Sequence, residues 1–249
     1  MIKKTLLLCL MVFPAVLGMN GQAIEDCSDC DKRLLTREDL EGKSVEELSL
    51  LRNEIYARNG HVFSQGKYNA YFIYRKWYAP ASSNEDIELS ETETKNVAFI
   101  KSLEDKLQRR RDAAVRDLKK LKDAFNNDDR EVVESFMSKM REKAPPSYES
   151  MIKYLKETLS YIDLDDIHWN KTKGLYKVSI DNGYLIRIYD IEFVGDRVTL
   201  SCGDRQHTEI FGDFNDGYSD YDSINEYSFW WGFEMLDTGI KFDYLGAAG

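Results

Sequence analysis

The sequence predicts an α+β protein, with a small helical N-terminal domain and C-terminal helices followed by an antiparallel β-sheet. Three observations support this fold class. Apolar residues recur at helical spacing through most of the chain before about residue 161. After that point β-rich runs flank Asp181-Asn182-Gly183, and Asn-Gly between such runs is the strongest short hairpin signal. The 249 residues, 43% of them hydrophobic, are enough for one large or two small domains.

A secretory signal peptide is predicted for residues 1–23. It begins with two lysines, continues with an apolar run over residues 6–17, and ends among small residues. The apolar run is too short to span a bilayer, and no transmembrane segment is expected elsewhere. We expect cleavage after Gly18 or Ala23. The protein is therefore expected to be exported, either to the periplasm or to the extracellular space.

The cysteines fall into three settings. Cys9 lies inside the apolar run of the signal peptide, so we do not expect it to carry a lipid. Cys27 and Cys30 lie in residues 24–33, which are predicted to form a flexible leader. Their spacing fits a redox pair, half a zinc site or a small disulfide loop. A disulfide loop suits an oxidising compartment best. Cys202 is expected to be a buried thiol in a strand.

Helix-start signals define the first domain, predicted for residues 34–105. Ser44 and Ser90 each precede a glutamate by three residues, the spacing of a capping box. Thr36 precedes an aspartate by the same spacing. The helix that follows Ser44 is expected to end at Asn59-Gly60, because glycine readily adopts the left-handed conformation past a last turn.

Aromatic residues concentrate in the stretch that follows this helix. A domain of about 70 residues has little core area, so we expect its aromatic side chains to be needed inside. This expectation covers Phe63, Tyr71, Phe72 and Trp77.

The run from Arg52 to Gly60, which reads Arg-Asn-Glu-Ile-Tyr-Ala-Arg-Asn-Gly, resembles the YARHG domain, as do Tyr71-Phe72 and Trp77-Tyr78-Ala79-Pro80. YARHG is a bacterial extracytoplasmic module named after the motif Tyr-Ala-Arg-His-Gly, and its molecular role is not established. The resemblance covers about 70 residues and implies export and a domain boundary near residue 105. The family histidine is Asn59 in this chain, so no imidazole is present at that position.

Four residues are the candidates for ligand binding: Tyr56, Arg58, His61 and Trp230. Arg58 at a helix end, with a tyrosine nearby, is suited to holding a carboxylate or a phosphate. The alternative is an ion pair between Arg58 and Glu54, one helical turn before it. Trp230 is predicted on the face of its strand opposite to the core.

Residues 106–161 are predicted to be helical, with a turn at residues 126–129 and a last helix that begins at Ser147. The basic run at residues 109–111 is expected to be a solvated helix face. Residues 162–249 are predicted to form an antiparallel β unit that packs on these helices. A cone-like sheet, as in nuclear-transport-factor-like proteins, fits this order of elements.

Charge and motifs exclude several function classes. The net charge of −10 makes a nucleic-acid partner unfavourable, because phosphate binding needs a basic face. No P-loop, nucleophile-elbow or zinc-protease motif is present, and we predict no catalytic residue, cofactor or metal. The acidic loop at 213–222 lacks EF-hand spacing and is expected to be solvated.

The sequence therefore favours a binding or structural protein at the bacterial cell envelope, without catalysis. Its partner would be an envelope component, either a glycan, a peptide or a protein. The alternative is an envelope glycan or peptide hydrolase that uses paired carboxylates.

Overall fold

The computed structural model describes residues 23–64, 66–143, 147–206 and 226–249. The predicted signal peptide up to residue 22 and the acidic loop at 213–222 lie outside these residues. The α+β class is confirmed. The helices are α1 (Val45–Arg58), α2 (Gly66–Phe72), α3 (Glu91–Asn126), α4 (Arg130–Lys143) and α5 (Tyr148–Tyr161). The strands are β1 (His168–Asn170), β2 (Lys173–Asp181), β3 (Leu185–Val194), β4 (Arg197–Gln206), β5 (Glu226–Leu236) and β6 (Gly239–Ala248).

The six strands pair in sequence order as one antiparallel meander, which does not close on itself within the described residues. Asn182-Gly183 connects β2 to β3 as predicted, with Gly183 at φ +82° and the Asn182 side chain accepting a hydrogen bond from the Leu185 amide. The helices α3, α4 and α5 pack against one face of this sheet. A short strand, β1, was not predicted.

The largest core lies between the sheet and these helices. Alternation along β5 places Phe229, Trp231, Phe233 and Met235 in the core, opposite to Trp230, while Tyr227 at the start of the strand is 46% exposed. From α3, α4 and α5 come apolar side chains such as Leu121, Met140 and Leu155, all fully buried. Cys202 is a buried free thiol in β4, as expected.

Capping boxes begin α1 and α3, which confirms both helix starts. Ser44 and Ser90 each accept a hydrogen bond from a glutamate amide three residues later, and each glutamate carboxylate accepts one in return. Thr36 does not begin an α-helix. A single 3₁₀ turn follows it instead, over Glu38–Leu40, and the Asp39 carboxylate accepts hydrogen bonds from the Thr36 amide and from Arg33.

Residues 24–33, expected to be a flexible leader, pack against α3 in the structure. Cys27 and Cys30 form a disulfide, and both are 2% exposed. The Asn96 side chain on α3 donates hydrogen bonds to the carbonyls of Cys30 and Arg33 and accepts one from the Leu35 amide, each 2.8 Å long. These bonds satisfy buried backbone groups of a segment that has no helix or strand of its own.

Helix α3 connects the two parts of the molecule. Its first half packs on α1 through Ile100, and its second half contributes Leu118 and Leu121 to the core beside the sheet. The predicted boundary at residue 105 therefore lies inside one continuous helix. Among the described residues, every helix is too short or too polar to serve as a membrane span.

Arg111 departs from the expected solvated helix face, since it is 9% exposed. Its guanidinium donates to the Glu46 carboxylate at 2.7 Å and to the Lys171 carbonyl at 2.8 Å. It also lies 4.1 Å from the centroid of the Trp169 ring. Arg111 therefore links the two parts of the molecule, since its partners lie in α1, in β1 and in the turn between β1 and β2. The basic run in the sequence does not reveal this role.

Candidate functional site

The C-terminus of α1 carries three of the four predicted ligand-binding residues. Arg58 is its last residue, and its Nε and Nη2 donate to one oxygen of Glu54 at 2.9 and 2.6 Å. The Glu54 side chain is 8% exposed and that of Arg58 is 25% exposed, so this pair is far less solvated than a typical surface pair. The guanidinium carbon also lies 4.2 Å from the centroid of the Trp77 ring. Arg58 therefore has an internal carboxylate partner and an aromatic partner.

Asn59, at the position of the family histidine, links two helices. Its side-chain amide donates to the Ile55 carbonyl at 2.9 Å and to the Glu93 carboxylate at 2.7 Å. Burial opposes ionisation of Glu93, but hydrogen bonds from Asn59 and Ser90 outweigh it and lower the pKa of this carboxyl. Asn59 thus ties the end of α1 to the start of α3 and has a structural role.

Phe72 is the centre of the aromatic cluster and is fully buried. Phe63 stacks on it at 5.3 Å between ring centroids, and Tyr71 and Trp77 contact it at 5.0 and 5.9 Å. The prediction that all four rings are buried is correct for Phe72 only. Phe63 is partly buried, whereas Tyr71 and Trp77 are 39% and 37% exposed. One fully buried phenylalanine fills this small core, so the rings around it have a side in solvent.

A second arginine–aromatic pair involves Tyr71, which contacts the Phe72 ring edge to face. The guanidinium carbon of Arg75 is 4.5 Å from the centroid of the Tyr71 ring. Tyr74, just before this arginine, is 87% exposed. We call the set of Arg58, Tyr71, Tyr74, Arg75 and Trp77 the arginine–aromatic surface. It offers guanidinium groups for a carboxylate and ring faces for an apolar or sugar surface.

Tyr56 and His61 lie beside this surface and are partly buried. Their ring centroids are 5.7 Å apart, and the His61 ring meets Phe63 edge to face at 4.9 Å. The His61 carbonyl accepts a hydrogen bond from the Tyr78 hydroxyl at 2.8 Å. The structure therefore brings Tyr56, Arg58 and His61 to one end of α1.

Trp230 lies elsewhere, in β5 on the solvent face of the sheet. Its indole lies directly against Gly246 in β6, where a side chain would collide with the ring. Tyr244 lies over Gly232 in the same way. Trp230 is partly buried, as these contacts require, and belongs to a different part of the molecule from the α1 cluster.

Comparison with known protein families decides what this N-terminal part is. Residues 26–105 match the model of the YARHG domain. This segment is a YARHG domain. The match begins eight residues before the predicted boundary and includes the Cys27–Cys30 disulfide, in agreement with the packing of that segment. The YARHG domain is extracytoplasmic and of unknown function. No curated protein and no solved structure matches the chain.

Outside the YARHG domain, one cluster brings two carboxylates together. Arg187 donates to Glu157 at 2.8 Å and to both oxygens of Asp204 at 2.5 and 2.7 Å, and the Tyr189 hydroxyl also donates to Glu157. Burial raises the pKa of the neighbouring Cys202 thiol to about 11, so that thiol stays protonated near neutral pH. Both carboxylates accept hydrogen bonds from the same guanidinium, that of Arg187.

Sequence reasoning missed Tyr74 and Arg75 as members of the surface. The four-residue spacing of Tyr71 and Arg75 is the one available signal, but α2 ends at Phe72, so helical spacing does not extend to Arg75. It also missed Arg187, whose partners come from α5 and β4. No local pattern in the sequence relates residues this far apart.

Proposed function

We propose that this chain is an exported bacterial protein that binds a component of the cell envelope through the arginine–aromatic surface of its YARHG domain, without catalysis of its own. One observation carries the proposal. Tyr71, Tyr74 and Trp77 expose between 37% and 87% of their area in a small domain that has few apolar residues to spare. Clustered aromatic exposure is typical of interaction sites.

The chemistry of the surface indicates an acidic glycan as the ligand. Tyrosine and tryptophan rings pack against the apolar faces of sugars. Arg75 pairs with no carboxylate among the described residues, so its guanidinium is able to bind a carboxylate of the ligand. Arg58 is held in place by Glu54, so it is positioned before any ligand arrives. Peptidoglycan combines sugar rings with free carboxylates and is the component that we propose.

The carboxyl groups support a binding role over the alternative of a glycan or peptide hydrolase. A glycosidase needs one carboxyl with a raised pKa to act as an acid. In the described part of the chain, every carboxyl whose pKa departs from its ordinary value has it lowered, as at Asp39, Glu46 and Glu93. Glu157 and Asp204 both accept hydrogen bonds from Arg187.

Export is supported by the predicted signal peptide, the extracytoplasmic family of the domain and the Cys27–Cys30 disulfide, which is typical of oxidising compartments. We expect N-terminal sequencing of the protein recovered from cell-envelope fractions to begin after Gly18 or Ala23. A protein that retains Met1, or one acylated at Cys9, would contradict export by this route.

Binding is tested by co-sedimentation of the mature protein with purified peptidoglycan sacculi at physiological salt. We expect the double variant Tyr74→Ala/Arg75→Gln to reduce the apparent affinity at least tenfold while leaving the melting temperature unchanged, because Tyr74 is almost fully exposed. The matched control is Tyr184→Ala/Arg197→Gln, which removes an exposed tyrosine and an exposed arginine from the sheet unit. The sheet unit is the six strands together with the helices that pack against them. Failure of the mature protein to sediment, or an equal loss in the control, would contradict the proposal.

A further inference from the structure

A second concave site lies between the YARHG domain and the sheet unit, with a volume of 350 Å³. The loop before α1 forms one side, the middle of α3 forms another, and turns of the sheet form the third. None of the residues predicted from the sequence as ligand contacts lines it. Clefts of this size at domain junctions are common places for small-molecule sites.

The walls of this interdomain pocket are mostly apolar. Leu40, Leu48 and Met235 are each at most 5% exposed, and the partly buried Leu103 and Leu107 come from α3. The contacts of Arg111 with Glu46, the Lys171 carbonyl and the Trp169 ring join both sides of the pocket at one end. The volume corresponds to about a dozen water molecules in the liquid, which sets the size of a fitting ligand.

The rim of the pocket is basic although the chain is acidic overall. Five cations line it, namely Arg37, Lys43, Lys106, Arg110 and Arg111, against the two carboxylates Glu41 and Asp196. Lys106 and Arg110 share Asp237, and Arg111 pairs with Glu46. Arg37 and Lys43 form no salt bridge with any residue that the structure describes.

The five cations face four carboxylates when the ion-pair partners are included: Glu41, Asp196, Asp237 and Glu46. The pocket therefore has one excess positive charge. The chain as a whole has a net charge of −10. The local excess matches a ligand with a single negative charge.

We propose that the interdomain pocket binds the carboxylate of a medium-chain fatty acid. A chain of about ten carbons packs along the leucines and Met235, where burial of its methylene groups supplies the affinity. The carboxylate lies at the rim and accepts charge-assisted hydrogen bonds from Arg37 and Lys43. A phosphate monoester with the same tail carries close to two negative charges and fits the single excess cation less well.

Isothermal titration calorimetry of the mature protein with decanoate tests this proposal. We expect saturable binding of decanoate, a dissociation constant at least a hundredfold weaker for acetate, and no binding of decyltrimethylammonium. Equal affinity for the cationic amphiphile would overturn the proposal, because it would show partition into an apolar surface without charge recognition. Decyl phosphate binding more than tenfold more tightly than decanoate would overturn the assignment to a carboxylate.

Two kinds of variant separate the head-group contact from the apolar wall. We expect Arg37→Gln/Lys43→Gln to weaken decanoate binding at least tenfold, and Leu107→Gln to weaken it by a similar factor. The control Lys153→Gln/Lys241→Gln removes two exposed cations outside the pocket and should leave the affinity unchanged. Since Arg37 and Lys43 have no ion pair to lose among the described residues, their variant should keep the wild-type melting temperature.

A loss of affinity in the lysine control equal to that of the rim variant would contradict the site, as would unchanged affinity in both pocket variants. The test is independent of the peptidoglycan proposal. Tyr74→Ala/Arg75→Gln changes a different surface and should bind decanoate like the wild type. Retention on sacculi should likewise be unaffected by Arg37→Gln/Lys43→Gln.

Discussion

The YARHG domain and the sheet unit bury their interiors in different ways. The sheet unit has one continuous apolar core, in which side chains such as Phe193, Trp231 and Phe233 are fully buried. The YARHG domain, as far as its residues are described, has two small apolar clusters and depends more on polar links. Of the buried polar side chains among the described residues, seven lie in the YARHG domain and two lie elsewhere.

The difference follows from size. A domain of 80 residues buries a smaller fraction of its surface than a larger unit, so its loops need hydrogen-bonded side chains to hold them. The hydrogen bonds that hold the loops and helix ends come from Asn96, from the Asn59–Glu93 pair and from the Arg58–Glu54 pair. Rings that do not fit inside remain at the surface, where they are available for binding. The comparison predicts that apolar truncation is costly in the sheet unit and that charge changes are costly in the YARHG domain.

The largest expected effect is on the core of the sheet unit. Trp231→Ala should lower the free energy of unfolding by about 4 kcal/mol, because it empties a fully buried aromatic site. Its neighbour Trp230 lies on the solvent face, and Trp230→Ala should cost about 1 kcal/mol. Urea denaturation measures both. Equal losses would show that the solvent face of the sheet is as well packed as the core.

The second prediction concerns the buried pair in the YARHG domain. Arg58→Gln should cost about 2 kcal/mol, because it leaves the Glu54 carboxylate, which is 8% exposed, without its partner. Neutralising that carboxylate as well, in Arg58→Gln/Glu54→Gln, should recover about half of the loss. Thermal unfolding of both variants tests this. A change below about 0.5 kcal/mol in the single variant would indicate that the pair behaves like one in solvent.

Acid should weaken the YARHG domain through Asp39. Hydrogen bonds from Arg33 lower the pKa of this carboxyl to about 2, against an ordinary value of 3.8. Because the folded pKa is depressed, the stabilisation is complete above about pH 4 and is lost as pH falls toward 2. We expect the ionised Asp39 carboxylate to contribute about 1.5 kcal/mol to the free energy of unfolding, after a discount for solvent screening because the Arg33 side chain is 47% exposed.

The measurement is the difference in unfolding free energy between the wild type and Asp39→Asn, which should shrink between pH 4 and pH 2. Arg33→Gln should reproduce the behaviour of Asp39→Asn, since it removes the same pair. A difference that stays constant over this pH range would be evidence against the Arg33–Asp39 pair.

The smallest expected effect is at Trp77. Since this ring is 37% exposed, Trp77→Ala should cost about 1 kcal/mol and not the 3–5 kcal/mol that is usual for a buried aromatic residue. Phe72→Ala, at the buried centre of the same cluster, is the control and should fall in that larger range. Similar losses in the two variants would mean that Trp77 is part of the core and not of a binding surface.

Much of the fold was predictable because its signals are local. Ser44 and Ser90 begin helices through contacts three residues away, and Asn182-Gly183 turns the chain through its own backbone preferences. The prediction for Arg111 was wrong because its environment is set by Glu46, Lys171 and Trp169, all about 60 residues away or more. The division of the chain at residue 105 stays a proposal, since α3 passes through it.

The candidate site was predictable in part. Tyr56 and Arg58 were proposed because the family motif places them at one helix end, and His61 follows the last glycine of that motif directly. Tyr71 and Trp77 were wrongly predicted to be buried, because the sequence shows that aromatic rings are present but not how many of them fit around Phe72.

The sequence by itself determined where α1 and α3 begin, where the chain turns between β2 and β3, and which face of β5 enters the core. These properties depend on residues within a few positions of one another. The tertiary structure alone decided that the leader packs on α3, that Arg58 stacks on Trp77, and that five cations surround a pocket between the domains. Burial and charge environment depend on segments distant in the chain, and packing geometry brings those segments together.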